Sequence, residues 1–134
     1  MTYLLDTDTC IHLLMGKEWT VNQVEQRSPA DLAVSAIAHY ELHYGVERCS
    51  AEWRKKEEVK VHLLLDHMTI LPFTADTAVR AASIRAKLEK EGRSIGPMDV
   101  LIAANALEYG LTLVTGNLGE FQRIEGLKCE TWSE

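Results

Sequence analysis

A chain of 134 residues, 46% hydrophobic and 25% charged, has the size and makeup of one globular domain over residues 1–134 and leaves no room for a second core. Its formal net charge of −6 speaks against holding nucleic acid by blanket phosphate neutralisation, unless a bound metal ion reverses the sign locally. Residues 1–16 carry Asp6 and Asp8 but no early basic cluster, and their apolar stretches are short and interrupted, so neither export nor a membrane span is expected and a cytoplasmic location is. Three cysteines, Cys10, Cys49 and Cys129, are odd in number and widely spaced, which suggests thiols in a reducing compartment and neither a disulfide framework nor a zinc knuckle.

Tyr3, Leu4 and Leu5 form a short apolar run that ends in Asp6, and Ile11, Leu13, Leu14 and Met15 follow at mixed helical spacing. This predicts a strand, a turn and a helix, with Asp8 or Thr9 able to cap the helix and Gly16 to end it. A further short helix over residues 19–27 stops at Ser28-Pro29, because the residue before proline is pushed out of the helical region. Asp31 opens a second strand, Leu32-Ala33-Val34, ending in Ser35. Ile37, Tyr40, Glu41, Tyr44 and Val46 then recur at helical spacing. Residues 51–67 read as a charged amphipathic helix carrying Val59, Val61, Leu63, Leu64 and Leu65, with basic residues interleaved with acids.

Thr69-Ile70-Leu71 is a third strand closed by Pro72, and Thr74 caps an alanine-rich helix over Ala75–Lys90. Residues 92–96 form a loop. Pro97 suits a first helical position, where its missing N–H costs nothing. The helix it starts is apolar nearly all round through Met98, Val100, Leu101, Ile102, Ala103, Ala104, Ala106 and Leu107, so it belongs in the interior, and Gly110 ends it. A fourth strand over residues 111–115, a loop with one helical turn over 116–121, and a fifth strand over 127–132 complete the chain. Strands alternating with helices imply an α/β fold whose sheet is mostly parallel and covered on both faces.

In open sheets of this kind ligands bind outside the carboxyl ends of the strands, near a topological switch point. Asp6, Ser35, Thr115 and Asn117 occupy such positions. Glu41 sits six residues after Ser35 on a helix whose side chains lean back towards its start, and Asp99 lies in the first turn of its helix. Taken singly these are ordinary residues: Asp6 a turn former, Asp99 a dipole-favoured acid, Ser35 and Asn117 caps. Taken together, three carboxylates in one crevice ask for a hard cation such as Mg²⁺ or Mn²⁺. Such an ion suits phosphodiester hydrolysis by in-line displacement. Glu41 could then orient or deprotonate the attacking water, and the amide of Asn117 could fix a water or a phosphate oxygen. The five histidines, His12, His39, His43, His62 and His67, show no HExxH or other ligand spacing; His39 and His43 read as one helix face.

Four segments carry a resemblance. Leu4-Leu5-Asp6-Thr7-Asp8, residues 35–42 (SAIAHYEL) with Gly45, residues 96–103 (GPMDVLIA) and residues 114–121 (VTGNLGEF) together resemble, in order and separation, the PIN domain of VapC-type toxins. The match spans nearly the whole chain; each motif alone is weak and the four together are specific. The resemblance implies a PIN-like three-layer fold with a roughly five-stranded sheet. It also implies an acidic metal site of Asp6, Glu41 and Asp99, supported by Thr7, Ser35 and Thr115 and holding Mg²⁺ or Mn²⁺. The implied activity is that of an RNA endonuclease toxin that inhibits translation, cutting structured RNA, often transfer RNA in a single-stranded loop. A homodimer is implied too, neutralised by a cognate VapB-type antitoxin whose tail enters the active-site groove in a toxin-antitoxin hetero-oligomer. Many relatives place a fourth acid where this chain has Asn117, so one tightly held ion is expected.

Arg54, Lys55 and Lys56 on one helix, and Arg85, Lys87, Lys90 and Arg93 before the 96–99 loop, are the candidate phosphate contacts. Two rival readings remain open at this point. A haloacid-dehalogenase-like phosphatase would use Asp6 as nucleophile and Asp8 as acid, and also needs a later lysine and a second acidic pair. A non-catalytic acidic module would dock a basic partner. Homodimerisation is further suggested by Trp53, Val61 and Leu64 on charged helices.

Overall fold

The computed structural model describes residues 1–133. Five strands, β1 (Tyr3–Leu5), β2 (Leu32–Ser35), β3 (Thr69–Leu71), β4 (Thr112–Val114) and β5 (Cys129–Glu130), form one sheet in the order β3-β2-β1-β4-β5. Every neighbouring pair is parallel, with Leu4 opposite Ala33 on one side and Leu113 on the other. All four residues of β2 are buried, and Leu4, Leu5, Leu113 and Val114 are wholly inaccessible. Strands buried without alternation must be covered on both faces. The fifth strand is only two residues long, shorter than the run of residues 127–132 suggests.

Seven α-helices are present among the described residues: α1 (Thr7–Leu14), α2 (Glu18–Glu25), α3 (Ala36–Glu47), α4 (Ala51–Leu65), α5 (Ala75–Lys90), α6 (Pro97–Tyr109) and α7 (Leu118–Phe121). Ser28 caps a 3-10 turn over Pro29–Asp31, so Asp31 stands before β2 and not in it. None of these helices is long and apolar enough to cross a membrane. Asp6, and neither Asp8 nor Thr9, caps α1, its side chain accepting from the Thr9 N–H at 2.8 Å. Thr74 caps α5 in a reciprocal box with Thr77, and Gly110 ends α6 at φ 65°, a conformation only glycine adopts without strain.

On α3 the buried residues are Ala38, Leu42 and Val46. The helical spacing of Tyr40 and Tyr44 therefore marks the opposite face, and both rings are exposed. On α4 only Val61 and Leu65 are buried and Leu64 packs partly against the core, while Val59, Leu63 and Trp53 face solvent. Val61 thus belongs to this chain's own interior and is not available to a dimer face.

One polar residue interrupts the apolar surface of α6. Asn105 is fully buried; its Oδ1 accepts from the Ser35 hydroxyl at 2.5 Å and its Nδ2 donates to the Pro72 carbonyl at 3.2 Å. It thereby ties the ends of β2 and β3 to α6, using polar groups that would otherwise be left unpaired in the interior. Replacing Asn105 with Ala should lower the unfolding free energy by about 1–3 kcal/mol, the penalty for stranding such partners. Urea unfolding followed by circular dichroism measures it; an unchanged midpoint would show that the tie contributes nothing.

Candidate active site

The chain leaves β1, moves outward through β2 and β3, then returns across the sheet to β4 on the other side of β1. The strand order reverses between β1 and β4, and the carboxyl ends of these two strands frame a crevice. Because α6 leads back into β4, it runs against the strands and its first turn lies at that same edge. Its start brings Asp99 to Asp6, although the two are far apart in sequence.

The crevice, about 590 Å³, is open and is lined by Asp6, Thr7, Asp8, Glu41 and Asp99, with Ile11, Tyr40, Tyr44, Gly45, Arg48 and residues 96–98 around them. Asp6 is 4% exposed. Burial pushes its carboxyl above the usual range, against hydrogen bonds from Thr115 and Thr9 that favour the charge, and Asp8 adds repulsion. Asp99 is half-buried and is pushed up to about 6, first by desolvation and then by repulsion from Asp6, Glu120, Glu41 and Asp8. Gly96 leaves room for the Asp99 carboxylate: a Cβ there would stand 3.3 Å from its Oδ2.

The supporting residues divide. Thr7 donates its hydroxyl to Glu41 Oε1 at 2.6 Å, joining the start of α1 to the second turn of α3. Thr115 bonds Asp6 and its hydroxyl accepts from the Asn117 N–H at 2.9 Å. Ser35 does not reach the crevice. It caps α3 through the Ile37 N–H at 3.0 Å and is held by Asn105, so it sets the direction of the helix that carries Glu41. The side chain of Asn117 is exposed at the start of α7 and makes no capping bond. It does not line the crevice. Two further acids act on Asp99: Asp8 on α1, which the sequence offered as a cap and as the acid of the phosphatase alternative, and Glu120 on α7, which it did not single out. Their signal was present in the quoted segments, but each sits where an exposed helical acid is commonplace.

The candidate phosphate contacts lie elsewhere. Arg54 turns back onto the carbonyls of Glu47 and Cys49, and Lys56 lies over the Trp53 ring. Arg85 pairs with Glu89 and Lys87 with Glu125. Lys55, Lys90 and Arg93 are exposed and do not line the crevice. Among the described residues the one cation lining the crevice is Arg48, at the end of α3. With no lysine there and no acidic pair following β4, the donor set does not fit a haloacid-dehalogenase-like phosphatase.

The sequence profile of the PIN domain matches residues 3–127. The chain belongs to the PIN domain family. It is 31% identical to the tRNA(fMet)-specific endonuclease VapC of Shigella flexneri over 133 residues, covering 99% of both chains. It is 33% identical to the enzyme of the same name from Salmonella typhimurium, with 98% of each covered. Among solved structures it resembles the VapBC2 complex of Rickettsia felis, bound to a promoter DNA fragment, at a TM-score of 0.90 and 32% identity, covering 99% of this chain and 100% of that one. The DNA-bound VapBC of Salmonella typhimurium matches at a TM-score of 0.91 and 32% identity, with 98% of each chain covered. Likeness of this extent makes the chain a VapC-type PIN domain.

The residues fit a hard divalent cation. Carboxylate oxygens are the donors such ions take, and the mutual repulsion at Asp99 is what a cation would relieve. Among the described residues no three His, Cys, Asp or Glu side chains already stand together as a ligand group, and Glu41 is hydrogen-bonded to Thr7. Mg²⁺ tolerates this, since it is commonly held by one or two carboxylates with water completing its shell.

A raised carboxyl in the folded chain destabilises it once charged: the effect is absent below the ordinary value of 3.8 and complete above about 6. That gap corresponds to about 3 kcal/mol if fully shielded, and to roughly 1 kcal/mol for a half-exposed group. In chelator, Asp99→Asn should therefore raise the melting temperature by a few degrees at neutral pH and leave it nearly unchanged around pH 4. Differential scanning calorimetry at both pH values measures this, and a loss of stability at neutral pH would contradict the repulsion.

Proposed function

We propose that this chain is a divalent-metal-dependent endoribonuclease, the toxin of a cytoplasmic toxin-antitoxin pair. One observation carries the reading: at the edge where β1 and β4 diverge, Asp99 is pushed up to about 6 by desolvation and by repulsion from Asp6, Glu120, Glu41 and Asp8. Family membership and the ribonuclease names of the relatives support it.

Mg²⁺ or Mn²⁺, when bound, would supply charge neutralisation and polarisation of the scissile phosphate during in-line displacement. Asp6 and Asp99 would hold it, with Glu41 beside them. Asp6 is fixed for this by its cap to α1 and by Thr115. Thr7 occupies Glu41 Oε1, so the other oxygen, Oε2, is left to orient the attacking water and accept its proton. Asp99 must be charged to hold the ion, and without metal its carboxyl is pushed up to about 6, so protons should compete with Mg²⁺ and weaken its binding as pH drops through that range. The exposed amide of Asn117 is in reach of solvent at this edge and serves substrate phosphate or water more readily than the ion itself.

Transfer RNA is the proposed substrate, because two of the relatives are named for tRNA(fMet), and a single-stranded loop is where its bases are accessible. The proposed partner is a VapB-type antitoxin, as in the toxin-antitoxin complexes the chain resembles. An apolar groove of Ile11, Leu14, Met15, Leu42, Val46 and Val61 adjoins the acids through Glu41, giving a hydrophobic segment a seat from which its end could reach the site. A homodimer is proposed on the exposed Trp53, Val59 and Leu63 of α4. Sedimentation at micromolar concentration should give a dimer, and a monomer would remove that idea.

Incubating partner-free protein with total bacterial RNA and with tRNA(fMet), in Mg²⁺, Mn²⁺ or chelator, tests the activity. Discrete fragments should require the metal and fall by at least about a hundredfold in Asp6→Asn and Asp99→Asn, the scale on which single transition-state contacts act. Asn can still cap α1, so loss in the first variant reports the charge. Intact RNA from a folded, metal-loaded protein would overturn the reading in favour of an acidic module that docks a basic partner.

A further inference from the structure

We propose that Tyr40, Tyr44 and Arg48 form a stacking platform for unpaired bases of single-stranded RNA next to the bond that is cut; the proposal rests on the ribonuclease reading above. Positions four apart fall on one helix face, and all three residues line the acidic crevice. The two tyrosine rings are nearly parallel, with centroids 6.3 Å apart and planes 14° from one another. The Arg48 guanidinium continues the row 5.6 Å from the Tyr44 ring. Both tyrosines are 54% exposed, while α3 binds the core through Ala38, Leu42 and Val46 on its other side. Packing gives no reason for two large aromatic side chains to line an open, acid-rimmed crevice.

Charge supplies the reason for an aromatic solution. A chain of net charge −6 whose crevice is lined, among the described residues, by four acids and one cation, with Glu120 also within electrostatic reach of Asp99, repels a phosphate backbone instead of gathering it. Stacking on tyrosine is indifferent to that repulsion and tolerant of base identity, since every base has a π-face. Arg48 adds a planar cation that can stack or meet one phosphate. The platform begins one residue before Glu41, so a base resting on it keeps its neighbouring phosphodiester beside the carboxylates.

The test uses the full chain with Asp6→Asn, which prevents cleavage during binding, and a short fluorescein-labelled single-stranded RNA of mixed sequence, intact or with abasic sites. Fluorescence anisotropy in Mg²⁺ should show Tyr40→Leu/Tyr44→Leu weakening binding roughly tenfold or more, with Tyr44→Phe within about twofold of the parent. Abasic RNA should lose a similar factor on the parent and little further on the double leucine variant. Circular dichroism confirms that each variant is folded. Unchanged affinity in the double variant, equal affinity for abasic RNA, or equal loss with phenylalanine overturns the platform, as does a double variant that loses only antitoxin binding. Metal-dependent cleavage with tyrosine-independent binding would sink the platform alone. Tyrosine-dependent binding without cleavage in any metal would sink the nuclease reading alone.

Discussion

The buried carboxylate of Asp6 is the constraint around which this fold is arranged. A charged group that is 4% exposed survives only if hydrogen bonds and nearby dipoles compensate for lost water. Here the first strand delivers it to the start of α1, where it caps the helix, and Thr115 reaches it from the end of β4. The same side chain is therefore a folding element and the floor of the crevice. Its compensation is incomplete, since burial still pushes its carboxyl upward. The residual strain is greatest on its neighbour Asp99, which faces acids from three other helices.

Rigid connections hold that repulsion in place. Ser35 and Asn105 bind the end of β2 to α6 inside the core, and Thr7 binds α1 to Glu41 on α3. The elements that carry the acids are thus fastened to one another by neutral polar contacts. A hard cation is the natural complement of such a site, because it relieves the repulsion without requiring the backbone to move. Sites arranged in this way trade stability for readiness to bind.

The surface chemistry follows from the same charge balance. An acidic crevice cannot attract RNA by its own potential, and on α4 and α5 Arg54, Lys56, Arg85 and Lys87 turn to helix ends, rings and local carboxylates. What borders the acids is apolar or aromatic: the groove along α1, α3 and α4 and the tyrosine face of α3. Affinity for either a protein segment or a base would then come from apolar contact, with the carboxylates and their ion providing position and chemistry.

By itself the sequence determined the α/β architecture and the acids Asp6, Glu41 and Asp99 as crevice residues, because strand ends, helix caps and the Pro97 start are local signals that short segments carry. The four motifs and their order also marked the family. Only the tertiary structure decided which residues face one another across those segments. It turned Ser35 inward to Asn105, left Asn117 exposed, and brought Asp8 and Glu120 within electrostatic reach of Asp99. It also chose the face of α3, where Tyr40 and Tyr44 share helical spacing with apolar residues but are exposed beside Arg48. Periodicity gives the spacing of a face and not its direction; the direction is set by what β1, β2 and α6 place against it.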